Sequence, residues 1–301
     1  MKPLTLALSG GGAKCAAQAG VLSILAQAGL PVGAVAGVSG GGLVAALSGL
    51  GFSASAIRDA IADTHLLEVW ELDPARRALF GPEKIRARLR ALVGDKTFAD
   101  LKLPVVLVAV DLRAGREVHL TSGRLDDAIL ATMAIPGLFT PVETGGMTLV
   151  DGGVLNPLPV DVARCLGPRV VAVDVLADRP PLGSPPQLFE FRGPLRYATE
   201  VGRRLNLLDM LEQVHLAGNL LTHRMCEYAL QRHPPDVLLQ PAAGRVGLFA
   251  FDLAQEAYRA GEAAARAALP ALQALANPRL TSPAAWRMQL TSDWRQFTAG
   301  K

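Results

Sequence analysis

Gly37-Val38-Ser39-Gly40-Gly41 is a Gly-x-Ser-x-Gly match between a short apolar run and a helix-forming one. A serine on such a strand-to-helix turn is held strained and exposed, and only small neighbours fit where the backbone crowds. The helix that follows aims its first amides toward the serine oxygen, where negative charge would develop during acyl transfer. The chain holds 30 glycines and 50% hydrophobic residues, so the pentapeptide alone also fits a packing turn.

Gly10-Gly11-Gly12-Ala13-Lys14 is a second glycine turn between an apolar run and a helical one. Bare amides in such a turn form an anion cradle. A phosphate-binding loop needs Gly-Lys-Ser/Thr, but Lys14 lies between Ala13 and Cys15. A dinucleotide fingerprint needs a third glycine where Cys15 stands, and no acidic residue follows at the required distance of about 20 positions. The remaining reading is an oxyanion hole beside a nucleophile on the neighbouring strand, since active groups of α/β sheets gather at the carboxyl ends of adjacent strands. Lys14 reads either as a solvated helix-start residue or as support for that loop.

A serine nucleophile needs a base. The five histidines, His65, His119, His215, His223 and His233, stand in no distinctive setting. Asp151 follows Leu149-Val150 and precedes Gly152-Gly153, so it too projects from a strand end into a glycine turn. Taken alone, Asp-Gly reads as a tight turn. Cys15 has small apolar neighbours, the setting of a buried, inert thiol.

These residues need a scaffold. Leu4–Leu8 and Ala34–Val38 read as buried strands, with helices over Ala16–Ala28 and Gly41–Leu50. Helices are expected at Ala54–Asp63, Pro82–Leu92 and Leu125–Ala134. Strands are expected at Val105–Val110, its hairpin partner Val118–Thr121, Thr148–Val150, Val170–Val175 and Val237–Leu239. Arg179–Pro186, with four prolines, reads as a loop. Arg196–Gln231 and Phe251–Leu269 read as helices, and the tail after Pro270 as a terminal helix. Strand-helix alternation predicts an α/β fold, three layers with a mostly parallel central sheet.

At 301 residues, one large domain is expected over 1–301, with the motifs in about 4–177 and a helical part over about 190–301. Charged residues make up 19% and the net charge is +3, which excludes wholesale disorder and a polybasic nucleic-acid surface. Three scattered cysteines (Cys15, Cys165, Cys226) suit neither a disulfide framework nor a zinc site, and a reduced, cytoplasmic setting is expected. No metal or other cofactor is expected. The N-terminal apolar run is too short for a signal-peptide core. Residues 15–57 carry no Asp, Glu, Lys or Arg, but Gly29-Leu30-Pro31 and Gly37–Gly42 break that stretch into pieces better read as core elements.

With these motifs in this order, the chain resembles the patatin-like phospholipase family. The resemblance rests on Gly10–Lys14, Gly37–Gly41 and Asp151-Gly152-Gly153. Two supporting stretches are Ala131-Thr132-Met133-Ala134-Ile135-Pro136-Gly137-Leu138-Phe139-Thr140-Pro141 and Asn156-Pro157-Leu158-Pro159. It covers about residues 4–177, and Asp236–Leu269 looks like the C-terminal part of small bacterial members. Cys15 departs from the glycine usual after the basic residue. The resemblance implies a Ser–Asp dyad. Ser39 would be nucleophile and Asp151 general base and acid, with Gly10, Gly11 and Gly12 forming the oxyanion hole and Lys14, Gly37, Gly41, Gly152 and Gly153 in support. It implies cleavage of fatty-acyl esters of phospholipids, lysophospholipids or simpler lipids.

Four alternatives stand beside this: an esterase with a Ser-His-Asp triad, an acyl transferase, a catalytically silent lipid-binding protein and, for Leu66–Phe80, a plain core-covering helix. In the functional reading Leu66–Phe80 is a lid bordering the acyl pocket, its apolar residues and Arg76 and Arg77 suited to a lipid surface. The same two readings apply to Leu248-Phe249-Ala250-Phe251. Peripheral contact at the inner membrane face is expected, and an apolar C-terminal helix leaves room for a homodimer.

Overall fold

The computed structural model describes residues 1–64, 71, 78–178 and 207–277. Eight strands form one sheet: β1 (Leu4–Leu8), β2 (Val32–Val38), β3 (Val105–Asp111), β4 (Arg116–Leu120), β5 (Val142–Thr144), β6 (Met147–Asp151), β7 (Val170–Val173) and β8 (Val237–Leu239). Hydrogen-bonded neighbours run β5-β6-β3-β2-β1-β7-β8, with β4 also on β3. The stretch β3-β2-β1-β7-β8 is parallel throughout. β4, β5 and β6 add antiparallel pairs at one side.

The helices are α1 (Ala16–Gln27), α2 (Gly40–Leu50), α3 (Ala54–Ala62), α4 (Glu83–Val93), α5 (Leu125–Thr132), α6 (Val160–Leu166), α7 (Leu207–Arg232), α8 (Ala254–Ala267) and α9 (Leu269–Ala276). Strand period sorts the core into two layers. Leu4, Leu6 and Leu8 of β1 face a large core with α1, α2 and α8. Ala7, with Ala36 and Ala172 from its neighbours, faces a smaller core with Val160 and Ala163 of α6 and Cys226 of α7. Alanines on that face let α6 lie close to the sheet. The expected three-layer α/β/α fold is present, with the sheet mixed at one edge.

Two elements escaped the sequence reading. β5 has three residues, and α6 has seven residues behind Pro157 and Pro159. The predicted helix from Phe251 to Leu269 is a 3-10 turn followed by α8, and α9 begins at Leu269 with Pro270 in its first turn. Of the predicted Arg196–Gln231 helix, residues 207–231 are helical and 196–206 lie outside the described residues, as do the loop at 179–186 and the tail beyond 277.

One register detail positions the site. Val108 of β3 pairs with Val38 of β2 and with His119 of β4. The next residue, Ala109, pairs with Asp151 of β6 and with Val118 of β4. A strand residue has one neighbour on each edge, so β4 takes one edge of β3 and β2 and β6 share the other. β2 runs up that edge and β6 runs down it, and they meet end to end at Val38 and Asp151.

α1 and α8 cross at glycines. A Cβ on Gly261 would lie 1.8 Å from the Ala17 carbonyl oxygen, and one on Gly20 would lie 2.0 Å from that of Tyr258. Both obstacles are backbone, so the helices must move apart to admit a methyl. Gly261→Ala is expected to lower the unfolding free energy by about 1–3 kcal/mol despite alanine's better helix propensity, measured by urea denaturation; an unchanged midpoint would contradict this packing.

Candidate active site

Ser39 follows β2 and caps α2 with φ 55° and ψ −129°, the one described residue other than glycine at positive φ. Such a conformation costs on the order of 1–3 kcal/mol and persists only where the surroundings impose it. Here they do. A Cβ on Gly37 would lie 2.4 Å from the Gly41 carbonyl oxygen, and one on Gly41 would lie 2.3 Å from that of Ser9. The two glycines of the motif therefore let the turn close on itself and on β1. The Ser39 N–H donates to Thr132 Oγ1 at 2.9 Å, and the Thr132 hydroxyl donates to the Val108 carbonyl. Thr132 bridges the point where β2 leaves β3.

Asp151 arrives from the other side. It is 5% exposed and Ser39 is 8% exposed. Its N–H donates to the Ala134 carbonyl at 2.9 Å, and its Oδ1 accepts from the Gly153 N–H at 2.7 Å. Gly152 fits only without a side chain, because a Cβ there would lie 2.3 Å from the Val108 carbonyl oxygen. Burial raises the Asp151 pKa to about 6, while the Ser39 hydroxyl and the Gly153 amide pull it down. The carboxylate thus has the Ser39 hydroxyl as a partner, and its pKa lies at about 6.

The glycine loop after β1 runs beside the serine. A Cβ on Gly10 would lie 3.2 Å from the Ser39 Cβ. The Gly10 N–H, however, donates to the Pro157 carbonyl at 3.1 Å. Of the three residues expected to form an oxyanion hole, Gly10 thus has its amide occupied, while the N–H groups of Gly11 and Gly12 have no acceptor among the described residues. Gly11 has φ 149° and Gly12 φ 55°, conformations that favour glycine. The bond from Gly10 to Pro157 ties this loop to the segment after Asp151, giving Asn156–Pro159 a definite task. The Ala13 N–H is held by the Leu248 carbonyl at 2.9 Å.

Ser39 and Gly12 open into an apolar cleft walled by Leu43, Ile61, Ile85, Leu89, Met133 and Phe139, with Leu248, Phe249 and Phe251 closing one side. Leu248–Phe251 thus borders the cleft. Most of the proposed lid, 66–70 and 72–77, lies outside the described residues. Its far end is anchored beside the cleft: the Phe80 N–H donates to the Leu138 carbonyl at 2.8 Å, and the Phe80 ring packs on Phe139 at 5.8 Å.

The remaining sequence candidates lie elsewhere. Lys14 does not line the cleft. It is largely buried, which lowers its pKa, and Asp178, Cys15 and Asp174 oppose that shift. Cys15 is buried with its Sγ 3.7 Å from the Ser9 carbonyl oxygen, and burial pushes its pKa far up, so the thiol is inert. No histidine is among the described residues lining the cleft. His119 meets Glu117 at 2.6 Å, and His223 and His233 lie on or beyond the last turns of α7. Two residues with a place in the site were missed. Thr132 carries no signature beyond its position in the Ala131–Pro141 stretch. Arg88 lines the cleft from α4, and its signal is an arginine in an otherwise apolar helical stripe. Among the described residues there is no cluster of three or more His, Cys, Asp or Glu fit to hold a metal, and no helix long and apolar enough to cross a membrane.

A family model described as Patatin-like phospholipase matches residues 6–164. An uncharacterized NTE family protein of Mycobacterium tuberculosis is 37% identical over 159 residues, which is 52% of this chain and 44% of that protein. Another from the same species is 29% identical over 289 residues, 90% of this chain and 47% of that protein. Patatin-like phospholipase domain-containing protein 7 of Rattus norvegicus is 33% identical over 181 residues, 57% of this chain and 13% of that protein. The chain thus spans less than half the length of these curated relatives. Among solved structures, VipD from Legionella pneumophila aligns with 91% of this chain and 67% of its own, at 13% identity and a TM-score of 0.49.

The Thr132 bridge generates a test. Thr132→Val keeps the shape but strands the Ser39 N–H and the Val108 carbonyl. It is expected to lower stability by on the order of 2 kcal/mol and to slow phosphonylation of Ser39, while Thr132→Ser retains both properties. Equal behaviour of the two variants in urea melts and labelling rates would remove Thr132 from this role.

Proposed function

The chain belongs to the patatin-like phospholipase family, and from that premise we propose that it is a serine acyl hydrolase acting on fatty-acyl esters through a Ser39–Asp151 dyad. The observation that carries this reading is a strained serine that lines an apolar cleft and is hydrogen-bonded to a buried carboxylate of raised pKa. Ser39 Oγ attacks the acyl carbon as Asp151 takes its proton. The tetrahedral oxygen is stabilised by the open amides of Gly11 and Gly12, each such donor being worth about 3–4 kcal/mol in comparable sites. The C–O bond to the alcohol breaks, and Asp151 returns the proton to the departing oxygen. Water then enters, gives a proton to Asp151 and adds to the acyl carbon; the bond to Ser39 Oγ breaks, Asp151 returns the proton to that oxygen, and the free fatty acid leaves.

The apolar walls suit an acyl chain. The direct hydrogen bond between the Ser39 hydroxyl and the Asp151 carboxylate favours the dyad over the triad. Contact with a lipid surface is part of the same proposal, because a long-chain ester is delivered from one.

Labelling with a fluorophosphonate probe, followed by peptide mass spectrometry, is expected to mark Ser39 and to fail in Ser39→Ala. A well-folded wild type that takes no label would favour a silent lipid-binding protein. Ala substitutions at His215, His223 and His233 are expected to keep activity, and loss of activity in one of them would restore the triad.

The raised pKa of Asp151 fixes the direction of the pH dependence. The base works ionised, so kcat/KM is expected to rise with pH through about 6 and to level off above it. Asp151→Asn is expected to lose about 10²–10⁴-fold. Because burial raises this pKa, ionisation opposes folding, and stability falls as pH rises from the ordinary carboxylate range through about 6. That fall is expected to shrink in Asp151→Asn. A flat activity profile between pH 4.5 and 8 would displace Asp151 as the base.

A further inference from the structure

Ile85, Arg88, Leu89 and Leu92 all line the cleft from α4. Their spacing of i, i+3, i+4 and i+7 is one face of a helix, so an arginine occupies a position where the apolar stripe calls for a fourth hydrophobic residue. It is the one charged side chain among the described residues that line the cleft. The other arginines nearby on α4 point elsewhere and are matched: Arg86 with Asp127, and Arg90 with Asp126 at 2.9 Å. Arg88 has no acidic partner among the described residues. Its one hydrogen bond there is from Nη2 to the Asp63 carbonyl, at a long 3.4 Å. A guanidinium carries five N–H donors in a fork suited to phosphate and carboxylate oxygens, and among the described residues only this one long contact engages it.

We propose that Arg88 is a specificity-determining residue that seats the phosphate of the substrate, so that the cleft selects phosphate-bearing acyl esters over neutral acylglycerols. This rests on the acyl-hydrolase reading of Ser39. A neutral ester needs only apolar walls and the Ser39–Asp151 pair. A half-buried cation facing those walls is unfavourable until an anion meets it, and a phosphate placed there would form charge-assisted, bidentate contacts. The arginine is fixed on a regular helix, a firmer support than a loop for holding a headgroup while the ester bond lies at Ser39.

The test uses the full chain and two monomeric substrates of equal acyl length, a lysophospholipid and a monoacylglycerol, each below its micelle concentration so that surface charge plays no part. The ratio of their kcat/KM values is expected to fall about 10- to 100-fold in Arg88→Gln, the range of one charge-assisted hydrogen bond, with the change chiefly in KM for the lysophospholipid. Arg88→Lys, which keeps the charge without the fork, is expected to fall between the two. An unchanged ratio, whether activity is kept or lost on both substrates alike, would overturn the proposal. Binding of an uncleavable ether-linked lysophospholipid, followed by calorimetry, reads the same contact without turnover. If the wild type cleaves neither ester, the hydrolase reading falls, and weaker ether-lipid binding by Arg88→Gln still supports the anion seat while equal binding removes it.

Discussion

Everything in the site depends on two strands meeting end to end along one edge of a third. β2 leaves β3 at Val108, and β6 takes over the same edge at Ala109. A gap of that kind would ordinarily strand a carbonyl and an amide in the core, at about 1–3 kcal/mol for each unpaired group. The Thr132 hydroxyl fills it, donating to the Val108 carbonyl and accepting from the Ser39 N–H. The same discontinuity sets Ser39 opposite Asp151. Thus a break in sheet pairing, sealed by one hydroxyl, brings together two residues 112 positions apart in the chain.

The glycines follow from that junction. Gly37, Gly41 and Gly152 each occupy a place where a Cβ would lie within 2.4 Å of a backbone oxygen, and those oxygens belong to the turn itself, to Ser9 just after β1 and to β3. Close approach of backbones, more than conformational freedom, is what these three positions need. Gly11 and Gly12 differ, for they stand at positive φ and their amides have no acceptor among the described residues. The loop they form is held at both ends, by the Gly10 N–H on Pro157 and by the Ala13 N–H on Leu248. In the proposed reaction, donors fixed in this way need no rearrangement when the oxyanion forms.

The parallel strands and the flanking helices were legible in the sequence because their signals are local. Leu4–Leu8, Val105–Val110 and Val170–Val175 are apolar runs bounded by turn residues, and each lies in the sheet. Ser39, Asp151 and the glycine loop were legible because crowded turns leave a pattern within five residues. What escaped depends on distance in the chain. Thr132 is an ordinary helix-end threonine until its hydroxyl is seen between β2 and β3. Pro157 withdraws the Gly10 amide, a contact that no spacing discloses. Leu248–Phe251 reaches the cleft only because β8 adds to the sheet beside β7 and returns the chain to the loop after β1. β5 and α6 were missed because three and seven residues are too few to display a period.

A carboxylate in place of histidine as the proposed base changes what the protein must supply. Imidazole titrates near neutrality unaided, whereas an aspartate in water is both ionised and feebly basic at pH 7. Burial corrects the basicity but opposes ionisation, and left uncompensated it would keep the acid protonated. The Ser39 hydroxyl and the Gly153 amide set the balance by stabilising the anion, leaving the pKa at about 6. One of these two groups loses its proton in the proposed first step and the other keeps it. As Ser39 attacks, Asp151 loses a donor that had held its pKa down, so its affinity for the proton rises during the transfer. The Gly153 amide stays in place through both half-reactions and keeps the carboxylate oriented. A dyad therefore needs its acid on a rigid strand end with an internal amide cap, and β6 followed by Gly152-Gly153 provides that arrangement.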